Sequence, residues 1–312
     1  MATSKRPARR RAELGVPVAL TGRYAIQGSQ VHAGIALWGR QTGARLRLED
    51  DRSDPARAAR LHCELARHCR IVLGPYGSDS TRAVARASGS VWNHGGAADD
   101  VQRLPGVVSI PSPASRYLVA LARAVAMLRP GARVAVVAAS GRFAALARAG
   151  LERGATGLDI ELVATPETAD GIFLCGPLGW ELETFRRLGP RPLLAGVSPG
   201  LAAFPDLLGG DPEGFLAPAQ WHPDLQSGVE LGPERVELDD SVAAQAYAAA
   251  LVASRCLELE PADPLAAAQT LRTTTFFGRF ELDPATGLQL GHRLAVVRWQ
   301  HGRQALLLPD AA

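Results

Sequence analysis

The chain has 312 residues, of which 47% are hydrophobic and 21% are charged, and its formal net charge is +3. This composition is typical of a soluble globular protein, and the length favours two folded units over one. No window holds about 18 consecutive apolar residues, so the sequence excludes a membrane-spanning helix. The small net charge gives no reason to expect a nucleic-acid partner.

The N-terminal segment is strongly basic, with five cationic side chains at Lys5, Arg6, Arg9, Arg10 and Arg11. We expect residues 1–12 to form a disordered, solvated tail, and an arm that binds nucleic acid or a membrane surface is the alternative. No apolar stretch precedes the first predicted strand, so the chain as written shows no secretory signal. This predicts a cytoplasmic location, or a protein whose leader is missing.

Strand and helix patterns alternate through the first hundred residues. Strands are predicted at LGVPVAL, ARLRLED, RIVLG and SVWNHGG, with helices between them at GSQVHAGIALWGRQ, SDPARAARLHCELARH and SDSTRAVARAS. Asp54 is expected to cap the second helix and Pro55 to occupy its first position. Three strand–helix units in this order predict a parallel sheet with helices on both faces.

The alternation then starts again, which predicts a second α/β unit over residues 112–222. Its strands are expected at ARVAVVAA, LDIELVA, DGIFLCG and RPLLAGV. The longest helical pattern follows at DDSVAAQAYAAALVASRCLELE and is rich in alanine on nearly every side, so we expect it to pack closely against a sheet. The C-terminal part predicts β-strands with turns at Asp283–Gly287 and His301–Gly302.

Metal and cofactor sites have no support in the sequence. The chain has four cysteines, Cys63, Cys69, Cys175 and Cys256. Their spacing does not match that of a metal site. The seven histidines form no pair with ligand spacing. We therefore expect free thiols, no metal and no cofactor.

Two short motifs suggest a serine hydrolase. The stretch HGGA at 94–97 is similar to the oxyanion loop of lipases, and GVSPG at 196–200 fits G-x-S-x-G with Ser198 as nucleophile. Asp283 and His292 follow in an acceptable order for a triad. The residue after the nucleophile must donate its backbone N–H to the oxyanion, but here it is Pro199, which has none. The hydrolase is therefore a disfavoured alternative.

The stretch LGPYGSDSTRAV at 73–84 predicts a strand, a tight turn and the start of a helix. It has neither the glycine spacing nor the lysine of a phosphate-binding loop. Ligands of open α/β sheets bind at the carboxyl ends of strands, where helix N-termini offer free N–H groups. Ser78 is expected either to cap the helix or to bind a ligand oxygen, and Gly95 and Gly96 allow the backbone to approach a ligand closely.

Four segments in order resemble the type I periplasmic binding proteins, in particular the leucine/isoleucine/valine-binding and amide-sensing branch. They are PVALTGRYAIQGSQVHAGIALW, LEDDRSDPARA, IVLGPYGSDSTRAV and FFGRFELDPATGLQLGHRLAVVRWQHGR. The resemblance implies an α/β fold of two lobes, each a mainly parallel sheet flanked by helices. It places the N-terminal lobe at 13–111 and 223–288, and the C-terminal lobe at 112–222 and 289–309. The hinge would cross near Pro111, Trp221–Pro223 and Leu288–His292.

The resemblance also implies a ligand site in the cleft between the lobes. The residues that match the family's contact positions are Ile26, Gln27, Tyr76, Gly77, Ser78, Gly95, Gly96, Ala97, Arg142, Phe143, Leu178 and Val197. The expected function is non-catalytic capture of a small solute for an ABC transporter of the branched-chain amino acid type, usually outside the cytoplasm, with a permease as partner. The alternative is a cytoplasmic amide sensor that acts on a regulatory protein.

The chain departs from the amino-acid-binding pattern at two places. The second-lobe turn reads AGVSPG and lacks the acid that pairs with a ligand ammonium, and Ala97 replaces a hydroxyl residue that usually helps to hold the ligand carboxylate. An ammonium buried without a partner costs several kcal/mol. A neutral amide, an aromatic acid or another small apolar molecule is therefore favoured, and Arg23 or Arg142 could pair with a carboxylate.

Overall fold

A computed structural model describes residues 13–189, 193–225 and 228–309. The predicted basic tail, residues 1–12, lies outside the described residues.

The first part of the chain alternates strands with helices, as predicted. In chain order the elements are β1 (Glu13–Val18), α1 (Ala25–Thr42), β2 (Arg45–Asp50), α2 (Pro55–Leu65), β3 (Ile71–Val72), α3 (Ser78–Ser88), β4 (Val91–Asn93), α4 (Asp99–Gln102) and β5 (Val107–Ser109). The side chain of Asp54 accepts a hydrogen bond from the backbone of Arg57 and Pro55 begins α2, so both predictions are confirmed.

The first sheet consists of β1 to β5 in parallel. Strand β1 lies between β2 and β3, and β4 pairs with β5. A parallel bridge between Leu73 and Trp92 connects these two groups of strands. Leu14, Val16 and Val18 of β1 are almost fully buried, because helices cover both faces of the sheet.

The second part of the chain alternates in the same way. Its elements are α5 (Tyr117–Leu128), β6 (Ala132–Ala138), α6 (Arg142–Gly154), β7 (Ile160–Val163), β8 (Gly171–Cys175), α7 (Leu178–Leu188), β9 (Leu193–Ala195), α8 (Phe204–Leu208), β10 (Leu216–Ala219), α9 (Ser241–Leu259), α10 (Pro264–Thr270), β11 (Thr273–Thr275), β12 (Gly278–Phe280), β13 (Ala295–Gln300) and β14 (Arg303–Leu308).

The second sheet has the strand order β14-β13-β10-β9-β8-β6-β7. Strands β6 to β10 run parallel, whereas the C-terminal hairpin of β13 and β14 joins antiparallel to β10. Strand β10 was missing from the sequence prediction, because it is short and carries Pro218, which cannot donate to a ladder. The predicted turns at Asp283–Gly287 and His301–Gly302 are confirmed by a hydrogen bond from the Gly287 N–H to the Asp283 carbonyl and by positive φ angles at 301 and 302.

The long alanine-rich helix α9 packs most closely against α1, rather than mainly against a sheet as expected, although it also contacts β3 and β4. A Cβ atom added to Gly34 of α1 would lie 2.0 Å from the carbonyl oxygen of Ala243. The side chain of Gln30 donates a hydrogen bond of 2.6 Å to Asp240, which caps α9. Small residues thus let the two helix backbones touch.

Three buried segments between the two sheets are tied together by hydrogen bonds. The backbone N–H of Ser112 donates to Oε1 of Gln220 (3.0 Å), and its hydroxyl donates to the carbonyl of His292 (2.7 Å). The ring of His292 donates from Nε2 to the carbonyl of Gln220 (2.8 Å) and stacks on Phe277 at 4.3 Å. Burial lowers the pKa of His292 to about 4. The segments near 112, 220 and 292 therefore form one connected layer.

Replacing Gly34 with alanine is expected to destabilise the protein by about 2 kcal/mol, because the new methyl group must push α1 away from α9. Gly179→Ala is the matched control, since a Cβ there has nothing within 4 Å and alanine favours the helix, which predicts a gain of about 0.5–1 kcal/mol. Urea unfolding measures both. A Gly34→Ala protein as stable as the parent would contradict the close helix contact.

The His292 imidazole makes stability depend on pH. Its pKa is about 4 in the folded protein and 6.5 ordinarily, so the unfolded chain takes up its proton first as the pH falls. Stability is therefore lost between pH 6.5 and 4, by up to about 3 kcal/mol from this group. In His292→Gln, the free energy of unfolding should fall less steeply over this range. Parallel pH curves for His292→Gln and the parent would refute this.

Candidate functional site

A cavity of about 620 Å³ opens where the carboxyl ends of strands from both sheets face each other. Loops after β3 and β4 supply its first wall, and loops after β6, β8 and β9 with the end of β10 supply its second. The starts of α1 and α9 complete the lining. This is the position that open α/β sheets use for ligands.

Ten of the twelve site residues predicted from the resemblance line this cavity: Gln27, Tyr76, Gly77, Ser78, Gly95, Ala97, Arg142, Phe143, Leu178 and Val197. Ile26 and Gly96 do not. Ile26 is half-buried in α1. Gly96 faces α3, because a Cβ there would lie 2.7 Å from Oγ1 of Thr81. Whether the ten residues bind a ligand stays a prediction.

The two turns of the first wall lie side by side. Tyr76 and Gly95 form a parallel bridge, and the N–H of Gly77 donates to the carbonyl of Gly95 at 3.1 Å. The buried side chain of Asn93 fixes the second turn, since its Oδ1 accepts from the N–H of Gly96 (2.7 Å) and its Nδ2 donates to the Gly96 carbonyl (2.8 Å). The side chain of Asn93 thus fixes the backbone of this turn.

Ser78 is the first residue of α3 and does not cap it. Gly77 occupies the cap position with a φ of +97°, which only glycine adopts easily, and no side chain caps the helix. The hydroxyl oxygen of Ser78 instead accepts a hydrogen bond from the N–H of Ala98 at 3.1 Å. The capping interpretation is therefore wrong: the hydroxyl joins the two turns, and Ser78 is one of the residues that line the cavity.

The second wall is organised by a carboxylate that the sequence reasoning missed. Glu181 is fully buried and accepts backbone hydrogen bonds from Gly176 (3.0 Å), Val197 (3.4 Å) and Ser198 (2.7 Å). Burial raises the pKa of Glu181 to about 7. The hydrogen bonds act in the opposite direction and lower the pKa, because they stabilise the ionised carboxylate. The acid thus lies behind the AGVSPG turn and is engaged by backbone amides rather than exposed to the cavity.

The charged residues of the described lining are Arg23, Asp79 and Arg142, and all three are exposed at the mouth. Arg142 contacts Asp100 across the mouth, with Nε 3.0 Å from Oδ2, and Arg82 contacts the same carboxylate at 3.0 Å. Arg23 lies 3.8 Å from Asp79. The two arginines considered as carboxylate partners therefore already have acidic neighbours.

Aromatic rings come from both walls. Tyr24 and Tyr76 meet edge to face at 5.4 Å, and Tyr117 and Phe143 do so at 5.3 Å. The hydroxyl of Tyr117 accepts a hydrogen bond from Nε2 of Gln220 (2.7 Å), and burial raises the pKa of Tyr117 to about 12. The cavity can therefore hold a flat apolar group.

The sequence reasoning also missed several polar lining residues, among them Tyr24, Tyr117, Ser140, Gln220, Ser241 and Gln245. Tyr117 and Gln245 fall inside helical patterns, where an isolated polar or aromatic residue gives no sign of facing a cavity. Gln220 lies in a proline-bearing stretch whose pattern indicates only a connection between elements.

The hydrolase triad does not assemble. Asp283 accepts from the hydroxyl of Thr286 within its own turn (2.7 Å), and the imidazole of His292 bonds to the Gln220 carbonyl. Neither is a partner of Ser198, whose N–H donates to Glu181.

Among the residues that the structure describes, no three His, Cys, Asp or Glu side chains are grouped closely enough to bind a metal ion. Within the same residues, no helix combines the length and apolar character needed to cross a membrane.

Comparison with known proteins identifies the fold. No protein-family model and no curated protein sequence matches the chain. Solved structures match over nearly the whole length. The leucine-binding protein LivK of Thermotoga maritima has a TM-score of 0.75 at 16% identity, with 95% of this chain and 97% of that chain covered.

Two further matches carry ligands. LivJ of Streptococcus pneumoniae, a branched-chain amino acid transporter substrate-binding protein in complex with isoleucine, has a TM-score of 0.77 at 14% identity and covers 96% of this chain and 100% of its own. An ABC transporter solute-binding protein of R. palustris in complex with 4-hydroxybenzoate has a TM-score of 0.75 at 18% identity, with 97% and 98% covered. The predicted α/β fold is confirmed: the chain has the fold of the type I periplasmic binding proteins.

Proposed function

We propose that this protein captures a small organic solute in its cavity without changing it chemically and delivers it to an ABC transporter of the branched-chain amino acid type. The observation that carries the proposal is a cavity whose two walls belong to two different sheets. Solved structures with the same fold hold isoleucine or 4-hydroxybenzoate, which supports solute binding here.

The proposed mechanism is closure of two lobes over the solute. Residues 13–111 and 223–288 form the lobe that binds first, and residues 112–222 and 289–309 form the lobe that closes. Oxygen atoms of the solute accept hydrogen bonds from the N–H groups at the start of α3, where Ser78 also lies. Phe143 and the turn at Val197 then cover the solute and exclude water.

An amino-acid zwitterion is a poor fit for this cavity. Glu181, the buried carboxylate that the structure describes at the second wall, accepts hydrogen bonds from three backbone N–H groups and does not line the cavity. A ligand ammonium would be buried without a partner, which costs several kcal/mol. A solute without an ammonium group is therefore favoured.

Ser78→Ala is expected to abolish the thermal shift that a bound solute produces. A screen of small amides, amino acids and aromatic acids finds the solute, which at 100 times its dissociation constant adds about 2.7 kcal/mol of stability. Without solute, the variant should lose about 1 kcal/mol, because the N–H of Ala98 loses its acceptor.

Ser80→Ala is the matched control, since Ser80 lies in the same helix, is buried and does not line the cavity. It should keep the full shift. A Ser78→Ala protein that binds as well as the parent would contradict the role of Ser78 in binding, and a screen in which nothing binds would contradict solute capture. Delivery is contradicted if cells that carry Ser78→Ala take up the captured solute as fast as the parent.

The Arg142–Asp100 pair is expected to assist closure rather than contact the solute. Both side chains are exposed to solvent in part, so the pair is worth at most about 1 kcal/mol and weakens with salt. Arg142→Ala and Asp100→Ala should each reduce affinity by less than about tenfold, and the double variant should be no worse than either. Calorimetric titration measures this. A large loss in Arg142→Ala alone would instead indicate direct contact with a ligand carboxylate.

A further inference from the structure

We propose that Glu181 positions the second wall of the cavity and that the affinity for a solute depends on whether its side chain is ionised. With an ionised Glu181, the wall keeps the shape seen in the structure and can cover a solute. With a neutral Glu181, the turn at Val197 and Ser198 loses an acceptor and relaxes, so capture weakens as the pH falls. The inference rests on the proposed function and adds a proton-dependent control of the same site.

One carboxylate joins the two loops of the second wall. Its Oε1 accepts a hydrogen bond from the N–H of Gly176 after β8 (3.0 Å) and a longer one from the N–H of Val197 after β9 (3.4 Å). Its Oε2 accepts a hydrogen bond from the N–H of Ser198 (2.7 Å). All three donors belong to residues that line the cavity. The position of both loops therefore depends on a single side chain of α7.

Both loops also pack directly on α7. A Cβ atom added to Gly196 would lie 3.0 Å from Oε2 of Glu181 and 2.8 Å from Cζ of Phe185. A Cβ atom added to Gly176 would lie 2.5 Å from the ring of Trp180. Glycine at these two positions thus lets the loop backbones reach the carboxylate, and a side chain at either position would push a loop away from it.

An ionised carboxylate suits three N–H donors, whereas a neutral one does not. The ionised group is an acceptor only, with lone pairs on both oxygens, but the neutral group carries a proton on one of them and becomes a donor there. Hydrogen bonds to an ionised group are also about twice as strong as those to a neutral one. When Glu181 takes up a proton from the solvent, the buried N–H groups of the turn therefore lose part of their acceptor, and the turn moves to find another.

The surroundings of Glu181 place this change near neutral pH. Burial raises the pKa of its carboxyl group to about 7, against the effect of the hydrogen bonds. The titratable group that faces it from β8 is the Cys175 thiol, whose own pKa burial raises far above its usual range, so this thiol stays neutral. The other charged side chains of α7 and α8 are exposed to solvent, and they are Glu183, Arg186, Arg187 and Asp206.

Calorimetric titration with 4-hydroxybenzoate at pH 6 and at pH 8 tests the proposal, because the carboxylate of this probe stays ionised at both. The parent should bind about tenfold more weakly at pH 6, where about one molecule in ten carries an ionised Glu181. Glu181→Gln removes the charge and keeps the shape, so its affinity should be equal at both pH values and at least about tenfold below that of the parent at pH 8. Glu183→Gln, an exposed change in the same helix, should keep the pH profile of the parent.

A purely structural role of Glu181 predicts a different pattern. The parent would then bind equally well at pH 6 and pH 8, and Glu181→Gln would be weaker by the same factor at both, which would overturn the proposal but leave solute capture intact. If 4-hydroxybenzoate does not bind, the amide or aromatic acid that binds most tightly in the wider screen takes its place. If the whole screen fails, the proposed function fails with it.

A second measurement needs neither a solute nor a variant, and it decides the proposal if Glu181→Gln does not fold. In the ¹⁵N-labelled parent, the amide resonances of Gly176, Val197 and Ser198 should shift together with a midpoint near pH 7, because their common acceptor gains a proton. The amide of Gly96 is the control, since its acceptor is the side chain of Asn93, which does not titrate. Second-wall resonances that stay fixed from pH 5.5 to 8.5 would overturn proton control of the wall.

Discussion

Backbone amides in the cavity walls must find acceptors, and this requirement shapes the site. Chain turns at strand ends leave N–H groups that cannot join the sheet, and burying them unpaired would cost about 1–3 kcal/mol each. In the first wall, Asn93 and Ser78 supply the acceptors. In the second wall, one carboxylate, Glu181, serves three N–H groups. Because these side chains fix the turns on the side away from the cavity, the other side of each turn can face a solute.

The second wall has an acidic residue, but that residue does not belong to the AGVSPG turn. The AGVSPG turn carries no carboxylate of its own, yet an acidic side chain reaches the turn from α7 and holds its backbone. That carboxylate stabilises the wall instead of pairing with a ligand cation. The interior lining includes the carboxamides of Gln27 and Gln245, which carry no charge. The second wall and the interior of the cavity therefore both favour a solute without an ammonium group.

Sequence patterns predicted the alternating α/β architecture, because buried parallel strands and amphipathic helices leave clear periodicities. They failed at β10, where a proline interrupts a four-residue strand, and at α9, whose alanine content predicts close packing but not the partner. Ten of the residues that line the cavity could be placed by resemblance, since turns such as GPYGSDST keep their order along the chain. Glu181 and Gln245 could not, because each lies in a helix whose pattern does not show which polar residue turns toward the cavity wall or its interior.

Hydrogen exchange with and without a bound solute tests the central claim most directly, because the claim is that both walls hold one molecule. Binding should slow exchange of the amides at 76–79 and 95–97 in the first wall and at 176, 178, 179, 197, 198, 200 and 201 in the second, with the solute recovered unchanged. Protection of one wall alone, or recovery of a chemically altered solute, would contradict the account.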